Sequence, residues 1–435
     1  MIYLAAVGLV LGVLVFVHEF GHYAVAKLCG VRVEVFSLGF GKRLWGFRRG
    51  DTDYRISLLP LGGYVKMSGE NPMEARTGDP GEFTSHPRWQ RFLIAIAGPA
   101  MNIILAIVVL TGVYMFHHEY PAYSRLPVDA FFVAPGSPAE KAGIHPGDRI
   151  IKIDDVQNPN WDQALTTFAL SPGQPVDVTV RRGDQTLNMK LVPETAGPDR
   201  VGDAGLIIPE VVGTLESGFP AAKAGMRSGD ILLAVNGTQV RDTSEVLELL
   251  QQTKESPVQL TFWRNGERSS ITVKPEFSDT ADSQGKKYRL GFTVMAVERL
   301  PFPAAFTNAY VDCKTNSLLI FKLLGKMIER KVSIRQMSGP IGITKISGDA
   351  ARQGFSFLMW VMALISLNLA VFNLLPIPIL DGGLMLMLLI ESLMGRDIKR
   401  EVKERVYQAA FVFLLLFAAV VIYNDVAKTL PGHLL

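Results

Sequence analysis

Apolar residues form four long runs along the chain, and polar residues are concentrated between them. The runs cover residues 1–17, 92–116, 355–380 and 406–424, and none of them contains Asp, Glu, Lys or Arg. The first run continues to residue 27 if a short polar cluster is set aside. About 20 apolar residues are enough for a helix to cross the hydrocarbon core of a bilayer. The pattern therefore predicts four membrane-spanning helices.

A long stretch of ordinary soluble composition separates the second run from the third, and it contains an internal repeat. The segment Pro-Ala-Glu-Lys-Ala-Gly-Ile-His-Pro-Gly-Asp, which begins at Pro138, returns in similar form at Pro220. A constant offset indicates two copies of one domain. The pattern resembles that of PDZ domains, which bind extended peptides by adding a strand to a sheet edge. Two spacer domains without a peptide ligand are the alternative.

The net charge is only +3, but the basic residues are unevenly distributed. Most of those near the predicted spans lie in the loops 27–91 and 396–405. The positive-inside bias of membrane proteins puts both loops in the cytoplasm, and both termini and the insert on the outer side. Cys29 and Cys313 then lie on opposite sides, so no disulfide is predicted. No nucleic-acid partner is predicted either.

The polar cluster in the first span is the H-E-x-x-H motif His18-Glu-Phe-Gly-His22. Residues four apart share a helix face, so both imidazoles can reach one metal ion, with Glu19 beside it as a general base. An ionisable group at mid-bilayer costs roughly 2.5 to 3.5 kcal/mol, and the other spans hold no basic partner. A divalent cation explains the cluster better than histidines bonded to backbone carbonyls do. A proton relay remains the main alternative.

A catalytic zinc ion usually takes three protein ligands, and the third span ends with a candidate for the third. After Asn373 the sequence reads Leu-Leu-Pro-Ile-Pro-Ile-Leu-Asp-Gly-Gly, and its prolines and glycines break the helix. The first and third spans run in the same direction, so Asp381 is predicted at the depth of the two histidines. Spacing alone equally allows Asp381 to cap a helix that starts at Gly382.

Taken together, these motifs resemble the site-2 protease family of intramembrane zinc metalloproteases. The resemblance rests on the H-E-F-G-H and N-L-L-P-I-P-I-L-D-G motifs, the four spans and the tandem PDZ-like insert, and it covers nearly the whole chain. It implies that His18, His22 and Asp381 bind Zn²⁺ and that Glu19 is the general acid and base. It implies a multi-pass protein of the bacterial inner membrane, with its active site toward the cytoplasm.

The resemblance also implies that Asn368 and Asn373 of the third span hold the substrate backbone. Without it, hydrogen bonding between helices is the simpler interpretation of these two residues. The stretch Gly98-Pro-Ala-Met-Asn102 of the second span matches the family as well. Its small residues predict a close approach of helices, and no chemistry is predicted for it.

Two further segments connect the spans to the rest of the chain. In the loop 29–91, residues 31–36, 44–48 and 53–59 alternate in polarity or are rich in strand formers, which predicts β-strands. Residues 58–65 are too apolar for a solvated hairpin, so the loop is predicted to re-enter the membrane beside the metal. Its edge could hold an unwound substrate as an added strand. Residues 317–328 predict an amphipathic helix at the membrane surface, or a packed soluble helix. The resemblance implies that this region and the PDZ pair admit only substrates already shortened outside the membrane.

The predicted fold is a multi-pass α-helical membrane protein with four spans, a membrane-associated β-hairpin loop and two inserted periplasmic PDZ domains. The predicted segments are the first span (1–28), the β loop (29–91), the second span (92–117), the PDZ domains (122–195 and 204–278), the connecting region (288–354), the third span (355–382) and the fourth span (406–425).

The predicted function is hydrolysis of the membrane-spanning segments of single-pass substrates, such as anti-sigma factors or remnant signal peptides, after a first cut outside the membrane. A metal or proton transporter and an inactive PDZ adaptor are the alternatives.

Overall fold

The structure of the protein is a computed structural model. It describes residues 2–70, 77–197, 200–278, 287–329, 332 and 339–429, so parts of the predicted β loop and of the predicted connecting region lie outside the described residues. The chain divides into two compact units, here called the membrane unit and the insert unit. The membrane unit contains Met1–Phe116, Arg299–Leu324 and Met337–Leu435, and the insert unit contains His117–Glu298 and Gly325–Gln336.

Within the described ranges the chain forms both helices and strands. The helices are α1 (Ile2–Leu28), α2 (Arg88–Phe116), α3 (Pro138–Lys141), α4 (Trp161–Ala169), α5 (Pro220–Lys223), α6 (Thr243–Thr253), α7 (Phe302–Ile328), α8 (Pro340–Gln353), α9 (Phe355–Asn373), α10 (Asp381–Met394) and α11 (Arg400–Thr429). The strands are β1 (Val33–Arg49), β2 (Thr52–Met67), β3 (His118–Pro121), β4 (Phe132–Val133), β5 (Arg149–Ile153), β6 (Val156–Gln157), β7 (Val176–Arg182), β8 (Gln185–Leu191), β9 (Glu194–Ala196), β10 (Val201–Asp203), β11 (Leu206–Ile207), β12 (Glu210–Val211), β13 (Ile231–Val235), β14 (Thr238–Gln239), β15 (Val258–Arg264), β16 (Glu267–Val273), β17 (Glu276–Ser278), β18 (Lys287–Arg289) and β19 (Met295–Glu298).

Four helices of the described chain, α1, α2, α9 and α11, are long and apolar enough to cross a membrane. They coincide with the four apolar runs. The helix of the third run is shorter than predicted, because α9 ends at Asn373 and the chain then turns until α10 begins at Asp381. Pro376 and Pro378 lack the N–H groups that would continue the helix, and each disfavours helical geometry in the residue before it.

The first two spans, α1 and α2, approach each other closely through glycine. A Cβ added to Gly21 of α1 would lie 2.4 Å from the carbonyl oxygen of Ala97 on α2. This contact leaves no room for a side chain, which is how small residues bring membrane helices together. The second span, α2, also contacts α9, so it lies against both the first and the third spans.

The loop after α1 forms two long antiparallel strands, β1 and β2. Both strands bend, so that residues 35–38 pair with residues 63–66 on one side and with residues 53–56 on the other. The last part of β2 therefore lies at an edge of this small sheet. Along this edge the sheet contacts α1.

The insert unit repeats one set of elements at the offset seen in the sequence. The strand Arg149–Ile153 corresponds to Ile231–Val235, the helix Trp161–Ala169 to Thr243–Thr253, and the strand Val176–Arg182 to Val258–Arg264. The first copy has a sheet in the order β6-β5-β7-β8, and the second has the order β12-β13-β15-β16 with β14 beside β13. In each copy the Gly-Asp turn is fixed in the same way, because its buried aspartate accepts hydrogen bonds from an arginine.

Each copy has its own hydrophobic core, and each core extends past the repeated segment. The core of the first copy, built around Trp161, includes Ala204 and Leu206, which the sequence assigned to the second domain. The core of the second copy, built around Leu260, includes Leu290, beyond the predicted end at residue 278. The chain that follows each repeated segment therefore folds back onto the copy that precedes it.

The region predicted to hold an amphipathic helix belongs to the longer helix α7. Ala305, Ala309 and Cys313 near the start of α7 are buried against Ala106 and Leu110 of α2. The first half of α7 is thus packed within the membrane unit. The position of residues 317–328 relative to a membrane surface stays a prediction.

Candidate metal centre

Two histidines of α1 and one aspartate of α10 meet inside the membrane unit. The Nε2 atom of His18 lies 3.3 Å from Oδ2 of Asp381, and Nε2 of His22 lies 3.5 Å from Oδ1 of the same carboxylate. The two Nε2 atoms are 3.3 Å apart. All three possible ligand atoms lie within 4.8 Å of one another. The helical spacing of the histidines and the turn before α10 thus converge on one point, as the sequence predicted.

The turn before α10 presents Asp381 to the histidines and not to its own helix. The N-cap position belongs to Leu380, which makes no side-chain cap, and Asp381 is the first residue of the helix. The two following glycines allow this geometry. A Cβ on Gly382 would lie 2.3 Å from the carbonyl oxygen of Leu374, and one on Gly383 would lie 2.1 Å from that of Ile377. The alternative of a capping aspartate is therefore wrong.

The second span contributes three contacts to this centre that the sequence did not predict. The Nδ1 atom of His22 lies 2.7 Å from the carbonyl oxygen of Ile94, and Nδ1 of His18 lies 3.4 Å from Nδ2 of Asn102. A Cβ on Gly98 would lie 2.2 Å from Nε2 of His22 and 2.8 Å from Cε1 of His18. The interpretation of residues 98–102 as helix-packing residues alone was incomplete. The sequence offered no specific signal for these contacts, because glycine and asparagine in an apolar span are also typical of helix packing.

Glu19 is held by the β loop. Its Oε2 atom accepts a hydrogen bond of 3.0 Å from the backbone N–H of Val65, on the edge of β2. The side chain is half-buried, while His18 and His22 are buried. This contact could not be predicted from the sequence, because every residue type except proline carries a backbone N–H. The loop thus fixes the carboxylate that the motif places beside the metal ligands.

The two asparagines of α9 differ in their relation to the centre. Asn373, the last residue of the helix, has its Nδ2 atom 3.2 Å from Nε2 of His18. Asn368 is exposed, and its side chain makes no hydrogen bond with the described residues. The structure therefore brings Asn373 to the predicted ligands and leaves Asn368 apart from them. The substrate-binding role of both stays a prediction.

A cavity of about 660 Å³ opens beside the third ligand. It is lined by residues of the β loop, of the turn before α10 and of α11, among them Met67, Phe83, Pro378, Asp381 and Tyr407. The carboxylate is thus reachable from this cavity, while the histidines lie deeper.

The donor atoms suit a divalent metal ion. Two imidazole nitrogens and one carboxylate oxygen form a ligand set that catalytic zinc sites use, and such sites keep a fourth position for water or substrate. Gly98 leaves space against both imidazoles that any side chain would fill. The residues present therefore fit zinc.

The sequence matches the model of Peptidase family M50 over residues 6–417. The chain belongs to peptidase family M50. Relatives of this M50 peptidase include the regulator of sigma-E protease RseP of Salmonella typhimurium, at 32% identity, and that of Escherichia coli, at 33% identity. Each alignment covers 98% of this chain and 98% of the relative.

A third relative, from Vibrio cholerae, bears a name that contains the words zinc metalloprotease. It is 32% identical over 96% of this chain and 97% of its own length. The M50 peptidase is accordingly a zinc metalloprotease with Zn²⁺ as its cofactor. Its candidate metal ligands lie on or next to helices that are long and apolar enough to cross a membrane.

Replacing Val65 with Pro is expected to slow peptide hydrolysis by about 10- to 100-fold, with the zinc content unchanged. Proline removes the N–H that holds Glu19, and a hydrogen bond to a charged group contributes about 1.5 to 3 kcal/mol. An edge strand tolerates proline where the N–H does not point at a neighbouring strand. Val65→Ala keeps the N–H and is expected to hydrolyse at the wild-type rate. Equal rates for the two variants would show that this contact does not matter.

Proposed function

We propose that this M50 peptidase is an intramembrane endopeptidase that hydrolyses the membrane-spanning segments of protein substrates. One observation carries the proposal. His18 and His22, which can hold zinc, lie on α1, and the third candidate, Asp381, follows the turn after α9. Both helices are of membrane-spanning length and hydropathy. A site in that position is accessible to a segment within the bilayer and not to a substrate that stays in water.

Each predicted site residue has a defined task in such a reaction. His18, His22 and Asp381 hold the metal. Bound zinc supplies Lewis acidity, which polarises the scissile carbonyl and makes a water molecule more acidic. Glu19 accepts the proton of the attacking water and delivers it to the leaving nitrogen. The hydrogen bond from Val65 orients the Glu19 carboxylate for both transfers.

A helical substrate hides its peptide groups in intrahelical hydrogen bonds, so it must unwind before hydrolysis. The edge of β2 that carries Val65 is suited to hold the unwound segment as an added strand next to Glu19. Asn373, 3.2 Å from His18, is suited to hold a substrate carbonyl next to the metal, and Asn368 lies five residues earlier on α9. The cavity beside Asp381 offers room for the cleaved strand.

The insert supports control of substrate access. We assign its two copies as PDZ domains on the periplasmic side of the bacterial inner membrane, with the metal toward the cytoplasm. The repeat and the basic loops 27–91 and 396–405 support this arrangement. The names of the relatives, regulator of sigma-E protease, support a role in the sigma-E pathway. We further propose substrates of the anti-sigma-factor type that are first cut outside the membrane, and a role in stress responses.

Hydrolysis of a membrane-spanning peptide by the purified protein tests the proposal. We expect cleavage within the apolar segment in lipid nanodiscs, loss of cleavage with a zinc chelator and its return with added zinc, with products read by mass spectrometry. A water-soluble peptide with the same scissile sequence is the matched control and is expected to be cleaved far more slowly. Cleavage of the soluble peptide alone, or cleavage that persists after complete zinc removal, would contradict the proposal.

A further inference from the structure

Asn102 is a fully buried amide of α2 with an incomplete set of hydrogen bonds. None of its surface is exposed, and its Nδ2 atom lies 3.4 Å from Nδ1 of His18. Its Oδ1 atom has no hydrogen-bond partner among the described residues. Such a buried acceptor costs free energy unless it is satisfied in some state of the protein.

The chemistry of a metal-binding imidazole defines what Nδ1 requires. When Nε2 binds a metal with its lone pair, the ring proton resides on Nδ1, which becomes a donor and needs an acceptor. His22 has this arrangement, because its Nδ1 faces the carbonyl oxygen of Ile94, which can only accept. The Nε2 atoms of both histidines face Asp381, so Nδ1 is the outer nitrogen of His18 as well.

We propose that Asn102 is a positioning residue of the zinc site, which accepts a hydrogen bond from Nδ1–H of His18 through Oδ1 when the metal is bound. A rotation of the amide by 180° exchanges its oxygen and nitrogen and brings Oδ1 to Nδ1 without any other movement. In the other orientation of the amide, Nδ2 faces Nδ1 of His18 at 3.4 Å. The amide thus complements whichever tautomer His18 adopts.

It follows that α2 orients both imidazoles although it supplies no ligand. Ile94 orients His22 through its backbone, which no side-chain substitution removes, and Asn102 orients His18 through its side chain. Partners of this kind typically contribute a factor of about 10 to 100 in metal affinity. The inference rests on the proposed role of His18 as a zinc ligand.

Zinc affinity of the full-length protein in detergent, measured by competition with a chelator, tests the proposal. Asn102→Leu has a similar volume and no acceptor, and is expected to bind zinc about 10- to 100-fold more weakly. Asn102→Asp retains an acceptor and is expected to bind at least as tightly as wild type. Ser366→Ala is the matched control, because Ser366 donates to the backbone oxygen of Asn102 at 2.9 Å and touches no ligand. Its zinc affinity is expected to be unchanged.

Nitrogen-15 NMR of histidine-labelled, zinc-loaded wild type gives an independent result. The proton of His18 is expected on Nδ1, and the Asn102→Leu variant is expected to lose the downfield shift of that proton. Wild-type affinity in Asn102→Leu, equal weakening in Asn102→Asp, or a proton-free Nδ1 would each overturn the proposal. If Asn102→Leu does not fold, the other two measurements decide. His18→Ala is measured in parallel, and undiminished zinc affinity there would overturn the ligand assignment itself.

Discussion

Replacing Glu19 with Gln is expected to reduce peptide hydrolysis by about 10²- to 10⁴-fold, while one zinc ion per chain is retained. A glutamine amide cannot accept the proton of the attacking water. Its oxygen can still accept the hydrogen bond that Val65 donates, so the side chain is expected to stay in place. The candidate ligands His18, His22 and Asp381 are untouched, and the zinc content is expected to follow from them.

Turnover of a membrane-spanning peptide and elemental analysis of the same preparation measure both effects. Glu34→Gln removes the same charge from a carboxylate that pairs with Lys66 on the β loop, and it is expected to leave both quantities unchanged. Substantial hydrolysis by Glu19→Gln at full zinc occupancy would remove Glu19 from the role of general base. Loss of zinc in this variant would instead indicate that Glu19 supports the metal.

Replacing Gly98 with Ala is expected to abolish zinc binding and hydrolysis together, although every ligand remains. The added Cβ would stand 2.2 Å from Nε2 of His22, and real Cβ atoms do not approach other atoms so closely. It would also stand 2.8 Å from Cε1 of His18. Both imidazoles must therefore move, and a misplacement of about 1 Å can cost about 10²-fold in rate.

Gly112→Ala is the control for this substitution, because it lies on the same helix and a Cβ there would meet no atom within 4 Å. Its zinc content and turnover are expected to equal those of the wild type. Thermal unfolding of both variants shows whether α2 still packs. Wild-type zinc affinity in a folded Gly98→Ala protein would mean that the imidazoles have more freedom than their contacts with α2 suggest.

The sequence alone predicted those parts of the metal centre that depend on local helix spacing or on the direction of the membrane spans. The spacing of His18 and His22 places them on one helix face, and the direction of two spans brings Asp381 to the same depth. It left the two roles of Asp381 open, because a turn rich in glycine can present an aspartate to its own helix or to a neighbour. Only the position of Leu380 as N-cap decides between them.

The contacts made by α2 and β2 could not be predicted with the same reasoning. Glycine and asparagine in an apolar span are equally typical of helix packing, so Gly98 and Asn102 carry no specific signal. The donor to Glu19 is a backbone N–H, which is common to nearly all residues. The constant offset of the repeat did predict the elements of the insert. It could not predict that Leu206 and Leu290 pack into the cores of the preceding copies, because these residues lie outside the repeated segments.

The ligands of this metal centre lie far apart in the order of synthesis. His18 and His22 leave the ribosome with the first span, and Asp381 follows only after the second span, the whole insert and the third span. A nascent chain therefore carries an incomplete coordination sphere until its membrane insertion is almost finished.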